Sequence, residues 1–335
     1  MPTPVLSIIV PTCNRRDLLA KLLDSLAQLQ GPAQELEVIV VDDGSTDGTR
    51  AALAQRRDPF ELRVVANDQP QGPSAARNRG VREARGALLG FLDSDVTVNP
   101  GWRLAAQKHF QNPKITAVEG ATLPPEGSPR PTPFTHYVAN RRGGSYQTCN
   151  FLCRTRAFRE AGGFDERFCW RDVRGKLWHI REDTDLAFTL LEVGGEIVFE
   201  PDALAWHPLV PASPWVYWRE TRFGLREALL RRKHPRLYAQ KLNWFDGRSF
   251  PVFYWGVYAA CGFLLASLFG GWWPGAVLGL LGWGAGAAGS VYLVCRKRQW
   301  SLLDAAILFP QFLVIPWLRF YWVLRGEWLF RSSGA

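Results

Sequence analysis

The stretch Phe91-Leu92-Asp93-Ser94-Asp95-Val96 joins an apolar run to two carboxylates that lie one residue apart. The run over residues 87–92 is typical of a short buried strand, so both acids follow its carboxyl end. Ligands of open α/β sheets bind outside the carboxyl ends of the strands. Carboxylates at that place can bind Mg²⁺ or Mn²⁺ together with substrate phosphates. A solvated turn fits the same residues, because Asp and Ser are common in turns.

Upstream of this stretch, buried-type strands alternate with helical patterns. Strands are predicted over residues 5–10, 36–41 and 62–65, and helices over residues 17–29, after Gly48, and over residues 72–84. Apolar runs with no polar face require cover on both sides, which a parallel sheet between helices provides. The pattern therefore predicts an α/β fold, with a doubly covered, mostly parallel sheet.

A second acid cluster, Asp42-Asp43, follows the second predicted strand. Neighbouring parallel strands present their carboxyl ends at one edge of the sheet, so the two clusters should converge there. This arrangement indicates a nucleotide site. Neither Gly-x-Gly-x-x-Gly nor Gly-Lys-Ser/Thr follows a strand, which argues against a dinucleotide fold and a P-loop.

Four segments in this order, residues 7–15, 41–49, 72–80 and 91–95, resemble the successive signatures of family 2 glycosyltransferases with the GT-A fold. The resemblance covers about residues 5–210. It implies a nucleotide-sugar donor, a divalent metal (Mn²⁺ or Mg²⁺) and inversion at the anomeric carbon. By this resemblance Asp43 binds the base edge, Arg77 lies near the nucleotide, Asp93 lies by the ribose, and Asp95 ligates the metal. The implied nucleotide-sugar-binding residues are Pro11, Thr12, Asp42, Asp43, Arg77, Asp93 and Ser94.

The segment Arg181-Glu182-Asp183-Thr184-Asp185 precedes another helical pattern. The resemblance places the general base on Asp183, and an inverting transfer to a hydroxyl needs such a carboxylate to accept the proton. Glu182 and Asp185 are interpreted as partners of the helix dipole. Because a helix N-terminus favours a negative charge, we expect Asp183 to be ionised at neutral pH.

Three further features leave alternatives open. His207, which follows a predicted strand over residues 197–200, is either a structural histidine or a second metal ligand, as in parts of the family. The aromatic stretch 169–179 is longer than the usual family pattern, and is either an acceptor-binding lip or a surface loop. Residues 123–144, rich in Pro, Gly and Arg, are predicted to form a loop.

The charge is divided unevenly along the chain. Residues 1–213 carry a net charge of −1 and the remainder +10, within a total of +9. A basic and apolar C-terminal part favours attachment to an anionic surface, whereas no recognisable nucleic-acid-binding module is present. No charged and apolar leader opens the sequence, so we expect no cleaved secretory signal. The six scattered cysteines are interpreted as reduced structural thiols.

The C-terminal part has the composition of a membrane region. A basic, aromatic segment over residues 213–250 suits the headgroup layer, and residues 249–295 carry no charge. Pro274 divides this run into two predicted spans, 251–273 and 275–295, which form a hairpin with both ends in the cytoplasm. The stretch 302–324 is predicted to be interfacial or re-entrant, and a third span is the alternative.

These patterns together predict a catalytic domain over residues 1–212, a juxtamembrane segment over 213–250 and a membrane region over 251–335. The predicted protein is an inverting glycosyltransferase of the bacterial inner membrane, facing the cytoplasm. Its acceptor would be a hydroxyl of a membrane-associated glycan or lipid-linked sugar in surface polysaccharide synthesis, and a UDP-sugar is the expected donor. The alternatives are a polyprenyl-phosphate glycosyltransferase, which needs no general base, and a catalytically silent membrane scaffold.

Overall fold

The structure is a computed structural model that describes residues 4–136, 138–172, 175–213, 215–242, 252–298 and 300–331. The chain forms two compact units. The first comprises residues 1–128 and 137–209, and the second comprises residues 129–136 and 210–335. The predicted division into a catalytic domain over residues 1–212, a juxtamembrane segment and a membrane region stays a prediction.

The first unit is built on an eight-stranded sheet. Its strands are β1 (Leu6–Thr12), β2 (Leu36–Asp43), β3 (Glu61–Asn67), β4 (Leu88–Leu92), β5 (Thr97–Val98), β6 (Ile115–Leu123), β8 (Asn150–Arg154) and β11 (Glu196–Trp206), and the order across the sheet is β3-β2-β1-β4-β8-β6-β11-β5. Strands β3, β2, β1 and β4 pair in parallel, as do β6 and β11. Strand β8 is antiparallel to both β4 and β6. The sheet is therefore mixed and mostly parallel.

Helices cover both faces of this sheet. They are α1 (Arg16–Leu26), α2 (Thr49–Ala54), α3 (Pro73–Glu83), α4 (Trp102–Gln107), α5 (Thr155–Glu160) and α6 (Glu182–Glu192). A short antiparallel hairpin of β9 (Cys169–Arg171) and β10 (Leu177–His179) precedes α6. Every residue of β2 is buried, as a central strand between two helical layers requires.

The sheet has two separate apolar cores, one on each face. Ile8, Val10 and Val38 belong to the core beneath α1, while Ile9, Ile39 and Val41 belong to the core beneath α3. Alternate residues of each strand thus supply opposite faces, because successive side chains of a strand point to opposite sides. The continuous apolar runs in the sequence are explained by this two-sided burial.

Helix α3 approaches the sheet closely because of Gly80. A Cβ atom at this position would lie 2.6 Å from Cγ2 of Ile9 and 3.0 Å from Cγ2 of Val41, which leaves no room for a side chain. Glycine within a helix costs about 1 kcal/mol relative to alanine. The close approach positions Arg77, one turn earlier in the same helix, towards the end of β4.

The second unit is predominantly helical. Its helices are α7 (Val216–Glu220), α8 (Gly224–Lys233), α9 (Pro235–Lys241), α10 (Val252–Phe269), α11 (Trp273–Arg298), α12 (Leu302–Phe312) and α13 (Ile315–Leu329). The two-residue strands β7 (Thr135–His136) and β12 (Val210–Pro211) pair with each other. Helix α8 packs on α13, where Arg319 of α13 pairs with the buried Glu227 at 3.2 Å.

The long apolar run breaks at a different place from the one predicted. Helix α10 ends at Phe269, Gly271 adopts a left-handed backbone with φ of 70°, and Pro274 lies in the first turn of α11. Proline is accepted there because the first amides of a helix have no intrahelical partner. The predicted start of the hairpin and residues 243–250 of the juxtamembrane segment, including Trp244 and Arg248, lie outside the described residues.

One described helix, over Trp273–Arg296, is long and apolar enough to cross a bilayer. Helices α12 and α13 pass the same test only as a pair, bent by 50° at the break between them. Helix α10 is apolar but shorter in its described part. The structure therefore contains apolar C-terminal helices, and length and composition alone permit one span, or two if the bent pair is counted.

Candidate active site

The two acids at the end of β2 are both buried, and both are hydrogen-bonded to neighbouring loops. Oδ1 of Asp43 accepts hydrogen bonds from Asn67 Nδ2 at 2.7 Å and Gln71 N at 2.8 Å, and Oδ2 accepts one from Gly72 N at 2.8 Å. Asp43 thus holds the turn that leads into α3. Asp42 accepts from Ser45 N at 3.0 Å and pairs with Arg50. Asp42 is fully buried and supports the loop rather than presenting an oxygen to solvent.

The end of β1 lies between the two acid clusters. Pro11 is partly exposed, and Thr12 is buried beside Asp42 in the register of β1 and β2. The hydroxyl of Thr12 has no hydrogen-bond partner among the described residues. A buried hydroxyl without a partner is costly unless a ligand or water supplies one.

Asp93 and Arg77 form an ion pair at the end of β4. Nη2 of Arg77 donates to Oδ1 of Asp93 at 2.7 Å, and Arg77 is 4% exposed. Burial tends to raise the pKa of the Asp93 carboxyl, but the charge and hydrogen bond of Arg77 outweigh it, so that pKa is lowered. Nε and Nη1 of Arg77 are buried without hydrogen-bond partners in the described part of the chain. These two donors remain available to an anionic ligand.

Asp95 is 8% exposed and faces both Arg15 and His207. Arg15 Nη1 donates to Oδ2 of Asp95. Oδ1, which lies 3.7 Å from Nε2 of His207, is buried and has no hydrogen-bond partner among the described residues. Nδ1 of His207 lies 2.9 Å from the carbonyl oxygen of Pro208. In the tautomer in which Nδ1 donates to this oxygen, Nε2 is an acceptor that faces Asp95.

This pair of acceptor atoms fits a divalent cation. A carboxylate oxygen and an imidazole nitrogen 3.7 Å apart can ligate one ion, and a metal-binding histidine commonly donates its other N–H to a carbonyl. Within the described ranges no group of three or more His, Cys, Asp and Glu residues could hold a metal. A metal here would take its remaining ligands from substrate phosphates and water, as Mg²⁺ commonly does. Ser94, between the two acids, is buried.

Asp183 occupies the first turn of α6 and is held by Thr148, two residues before β8. Thr148 Oγ1 donates to Oδ1 of Asp183 at 2.8 Å, and Thr148 N donates to Oδ2 at 3.2 Å. Burial raises the pKa of the Asp183 carboxyl to about 6, and the charge of Glu182 acts in the same direction. Arg77 and the Thr148 hydrogen bond oppose them. The expected effect of the helix N-terminus is therefore outweighed, although the carboxyl is still mostly ionised at pH 7.

Glu182 and Asp185, interpreted from the sequence as partners of the helix dipole, are both buried. Glu182 is buried, and His179 Nδ1 lies 2.8 Å from its Oε1. Burial tends to raise the pKa of Glu182, but the hydrogen bond and charge of His179 lower it overall. Asp185 is 1% exposed. Both acids are parts of the buried base of α6, so replacing either one should cost more than the few tenths of a kcal/mol typical of an exposed dipole partner.

The aromatic stretch 169–179 forms the β9–β10 hairpin. The rings of Trp170 and Trp178 stack with centroids 6.3 Å apart, and the side chain of Leu177 lies over Gly72, where a Cβ atom would come within 2.9 Å of Leu177 Cδ2. The hairpin therefore packs on the loop that Asp43 holds. Its C-terminal end supplies His179 to Glu182, next to Asp183.

Sequence reasoning missed three groups at this site: Arg15, Thr148 and His179. Arg15 is positioned because its loop is tied to the loop after β2, where Asn14 N donates to Ser45 Oγ at 2.9 Å and Thr46 N donates to Asn14 Oδ1 at 2.7 Å. The only signal for Arg15 was its place directly after a strand and within a family signature. Thr148 and His179 carried no sequence signal, because their partners are distant in the chain or separated by a helix boundary.

Comparisons with known proteins identify relatives of this chain. Residues 7–162 match the family model described as Glycosyl transferase family 2. The pre-mycofactocin glycosyltransferase of Mycobacterium tuberculosis is 30% identical over 252 residues, which are 68% of this chain and 48% of the relative. The O-antigen biosynthesis protein RfbC of Myxococcus xanthus is 36% identical over 200 residues, 51% of this chain and 16% of the relative. The chain thus spans about half the length of the first of these relatives and a smaller share of the second.

A solved structure is similar over most of both chains. The mannosyltransferase PcManGT from Pyrobaculum calidifontis, in complex with GDP-Man and Mn²⁺, superposes with a TM-score of 0.64 over 98% of this chain and 88% of that one, at 20% sequence identity. This likeness shows the fold, which is GT-A. With the matching family model and the sheet order described above, the chain belongs to the family 2 glycosyltransferases.

Proposed function

We propose that the protein is an inverting glycosyltransferase that moves a sugar from a nucleotide-sugar donor to a hydroxyl of a membrane-associated glycan or lipid-linked acceptor. One observation carries the proposal: the unpartnered Asp95 Oδ1 facing His207 Nε2 at 3.7 Å, in the same site as an Asp183 carboxylate held by Thr148. Asp95 and His207 are suited to hold a metal at the diphosphate of a donor. The Asp183 carboxylate is suited to accept the proton of an acceptor hydroxyl. A scaffold without catalysis has no use for either arrangement.

The donor is assigned to the edge formed by β1, β2 and β4. Asp43 fixes the turn before α3 and presents the remaining lone pairs of its carboxylate to the base. The Thr12 hydroxyl and the two unpartnered donors of Arg77 face the nucleotide. Asp93, fixed by Arg77, accepts hydrogen bonds from the ribose. Pro11, Asp42 and Ser94 shape the pocket wall through their backbone or their neighbours.

Asp95 and His207 are the proposed ligands of Mn²⁺ or Mg²⁺. When bound, the metal supplies electrostatic stabilisation of the charge that develops on the leaving diphosphate. Asp95 and His207 would hold this metal, and Arg15, paired with Asp95, adds a positive charge at this place. The structural neighbour that is in complex with GDP-Man and Mn²⁺ supports the same pairing of a nucleotide sugar with a metal.

Asp183 is the proposed general base. The acceptor hydroxyl gives its proton to the Asp183 carboxylate while its oxygen forms a bond to the anomeric carbon, and the bond between that carbon and the diphosphate oxygen breaks with the electron pair leaving on the nucleotide. Attack opposite the leaving group inverts the configuration. A pKa of about 6 keeps most of the base ionised at pH 7 while leaving it basic enough to take part in proton transfer.

We further propose that the second unit anchors the protein in the inner membrane, with the catalytic domain in the cytoplasm. The apolar helix over Trp273–Arg296 ends in a basic cluster, Arg296-Lys297-Arg298, and cytoplasmic ends of spans are enriched in such residues. A role in surface polysaccharide synthesis is supported by the O-antigen relative. The donor nucleotide is proposed to be UDP or GDP.

A binding panel followed by a transfer assay tests the proposal. Thermal shifts of the full chain should respond to a nucleotide diphosphate only with Mn²⁺ or Mg²⁺, because a ligand of the native state raises its apparent stability. A lack of any metal-dependent shift across UDP, GDP and dTDP would contradict the donor site. Transfer to a lipid phosphate that persists in Asp183→Asn would favour the polyprenyl-phosphate alternative, since an ionised phosphate needs no base.

A further inference from the structure

The first turn of α6 brings two adjacent acids next to a third. Glu182 is 4% exposed, Asp183 is partly exposed, and Asp93 follows the end of β4. Burial tends to lower the pKa of the Arg77 guanidinium, but the charges of all three acids outweigh it and raise the pKa overall. The hydrogen bond of Arg77, at 2.7 Å, goes to Asp93. One arginine thus faces three carboxylates, and a buried carboxylate such as Glu182 needs a partner of its own.

His179, the last residue of β10, is that partner. Its Nδ1 lies 2.8 Å from Oε1 of Glu182, and the His179 side chain is 54% exposed whereas that of Glu182 is 5% exposed. Partial burial tends to lower the pKa of the His179 imidazole, but the hydrogen bond and charge of Glu182 raise it above its ordinary 6.5. His179 is therefore mostly protonated near pH 6, where Asp183 takes up its own proton. The cluster thus has a second cation in the pH range in which the proposed base titrates.

The β9–β10 hairpin fixes His179 from outside α6. His179 pairs with Cys169 in the hairpin, and Cys169 Sγ lies 3.2 Å from Oγ of Ser74 on α3. Arg171 Nη2 donates to the carbonyl oxygen of Pro70. These contacts tie the hairpin to the loop and the helix that follow β3, so the imidazole is held by a separately anchored element. The hairpin occupies the stretch that is longer than the usual family pattern, and that pattern does not account for His179.

We propose that His179 is a positioning residue of the transfer reaction: paired with Glu182, it holds the neighbouring Asp183 in its ionised form, in which the carboxylate can accept the proton of the acceptor hydroxyl. This inference rests on the proposed function, because it assigns His179 to the proposed base. The physical step is an offset of charge. After burial, the charge of Glu182 is the next cause that raises the pKa of Asp183, and a positive charge on His179 opposes it.

Other titratable groups that face Asp183 and Glu182 keep one charge over the same pH range. They are Arg77, Asp93, Cys149 and Cys169. Arg77 remains cationic, and its charge lowers the pKa of Asp93 although burial tends to raise it. Burial raises the pKa of both thiols above the ordinary 9.0, so they remain neutral. His179, in contrast, changes its charge in the range in which Asp183 titrates.

The pH profile of kcat for transfer by the full chain, at saturating donor and metal, tests this role. His179→Gln keeps a hydrogen-bond donor for Glu182 but carries no charge. The acid limb expected near pH 6 should therefore move up by about one pH unit, the low end of the effect of a charge a few ångströms away. The loss of kcat should then be severalfold larger at about pH 5.5 than at about pH 8, whereas a misplaced loop would lower kcat equally at both.

A cationic variant gives the opposite sign. His179→Lys restores a positive charge beside Glu182 and should return the acid limb towards that of the unmodified chain. A limb that stays in place or moves to lower pH in His179→Gln would overturn the proposal, and so would a limb in His179→Lys that moves up as far as in His179→Gln. Metal-dependent nucleotide binding, measured on the same samples, shows that each variant is folded.

A double substitution shows whether His179 acts through Glu182. Glu182→Gln removes the negative charge next to Asp183, so the acid limb should move to lower pH. Adding His179→Gln should then change the limb little, whereas independent effects would add. The matched control is His109→Gln, because His109 Nε2 lies 2.6 Å from Oε2 of the buried Glu200 in a second pair of the same kind. An equal shift in this control would assign the effect to overall charge and overturn the proposal.

Histidine titrations followed by NMR need no substrate, so they separate this inference from the proposed function. Selective ¹³C labelling marks the five histidines, and the signal lost in His179→Gln is that of His179. Coupling is reciprocal: if a charged His179 favours an ionised Asp183, the charge of Asp183 favours a protonated His179. The pKa of His179 should therefore lie above 6.5 and fall in both Glu182→Gln and Asp183→Asn.

The two readouts have distinct outcomes. An unchanged His179 pKa in Asp183→Asn would overturn the inference even where sugar transfer occurs. Absence of transfer by the unmodified chain, together with a His179 pKa that falls in Asp183→Asn, would contradict the proposed function while the coupling of His179 to Asp183 stands.

Discussion

The hydroxyl of Thr148 donates a hydrogen bond of 2.8 Å to Oδ1 of Asp183, and the backbone amide of the same residue donates to Oδ2 at 3.2 Å. One threonine thus orients both oxygens of a carboxylate that lies 35 residues further along the chain. The loop that carries Thr148 is itself held by the buried carboxylate of Glu119, which accepts from Gly144 N at 2.7 Å and Ser145 N at 3.0 Å. The proposed base is therefore positioned from the sheet through a continuous set of hydrogen bonds.

We expect Asp183→Asn to separate donor binding from chemistry. The amide cannot accept a proton, so turnover with a hydroxyl acceptor should fall by about 10²–10⁴-fold, as is typical for loss of a general base. Affinity for the donor should stay close to that of the unmodified chain, because Asp43, Asp93 and Asp95 remain. Isothermal titration with the nucleotide sugar and a transfer assay measure the two quantities. Glu192→Gln, at the other end of α6, is the control, and normal turnover in Asp183→Asn would place the base elsewhere.

The pH dependence of turnover should follow the ionisation of Asp183. We expect kcat to fall as the pH is lowered through about 6, where the carboxyl becomes protonated. Thr148→Val removes the hydrogen bond that lowers this pKa, so the acid limb of the profile should move to higher pH. Thr189→Val is the matched control and should leave the limb in place, because the Thr189 hydroxyl donates to the Asp185 carbonyl oxygen at 2.9 Å and not to Asp183. An unshifted limb in Thr148→Val would argue against Asp183 as the titrating group.

The same shift has a consequence for stability. The pKa of Asp183 is higher in the folded chain than the ordinary 3.8, so the folded state binds this proton more tightly than the unfolded state does. The contribution of the carboxyl to stability is therefore greatest at low pH and declines as the pH rises from about 4 to about 6. The Tm of Asp183→Asn relative to the unmodified chain should rise over this window, as measured by scanning calorimetry. A relative Tm that falls would show that the ionised form is the one favoured by folding.

Asp95→Asn should abolish metal-dependent nucleotide binding while the fold is retained. The substitution removes the charged ligand, and Mn²⁺ and Mg²⁺ prefer carboxylate oxygens. His207→Ala should weaken the apparent metal affinity if Nε2 is a ligand. His109→Ala, which loses a contact with Glu200, serves as its control. Metal titrations at fixed nucleotide concentration measure both effects. Unchanged metal affinity in His207→Ala would make this histidine structural.

Gly80→Ala should weaken donor binding indirectly, by displacing helix α3. The added methyl group would collide with Ile9, so α3 must move away from the sheet, at a cost of about 1–3 kcal/mol for overpacking. Arg77 moves with the helix, and we expect a lower Tm together with weaker nucleotide binding. Gly101→Ala is the control, because no atom lies within 4 Å of its Cβ position. A lower Tm with unaltered nucleotide affinity would show that Arg77 is not required for donor binding.

The topology prediction concerns α10 and α11. A reporter inserted between Gly270 and Pro274 should be external, and one placed after Arg298 should be cytoplasmic, because basic residues are retained on the cytoplasmic side. Accessibility to a membrane-impermeant reagent in intact cells and in inverted vesicles distinguishes the two sides. Cytoplasmic readings at both positions would be incompatible with a hairpin and would favour a re-entrant or interfacial pair.

Local patterns in the sequence determined the elements that position the proposed donor site. The apolar runs before Thr12, Asp43 and Asp93 are buried on both faces in the structure, and such runs need helices on both sides of a parallel sheet. With the four family segments, they predicted the GT-A fold, which is confirmed by the matching family model and the solved neighbour. The acids at the strand ends were found because strand direction alone places them at one edge.

The tertiary structure decided which oxygen atoms of those acids form hydrogen bonds or ion pairs within the protein and which are left for a ligand. Asp42 and Asp43 look equivalent in sequence, yet Asp43 accepts the hydrogen bonds of Asn67, Gln71 and Gly72 before α3. Asp42 is instead buried against Arg50. The pairing of Asp95 with Arg15 and His207, and of Asp183 with Thr148, joins residues 80, 112 and 35 positions apart. No local pattern encodes such contacts, because they depend on how β4, β8, β11 and α6 are brought together in the folded chain. The raised pKa of Asp183 follows from the same packing, since burial and the neighbouring Glu182 outweigh the helix N-terminus that the sequence alone displays.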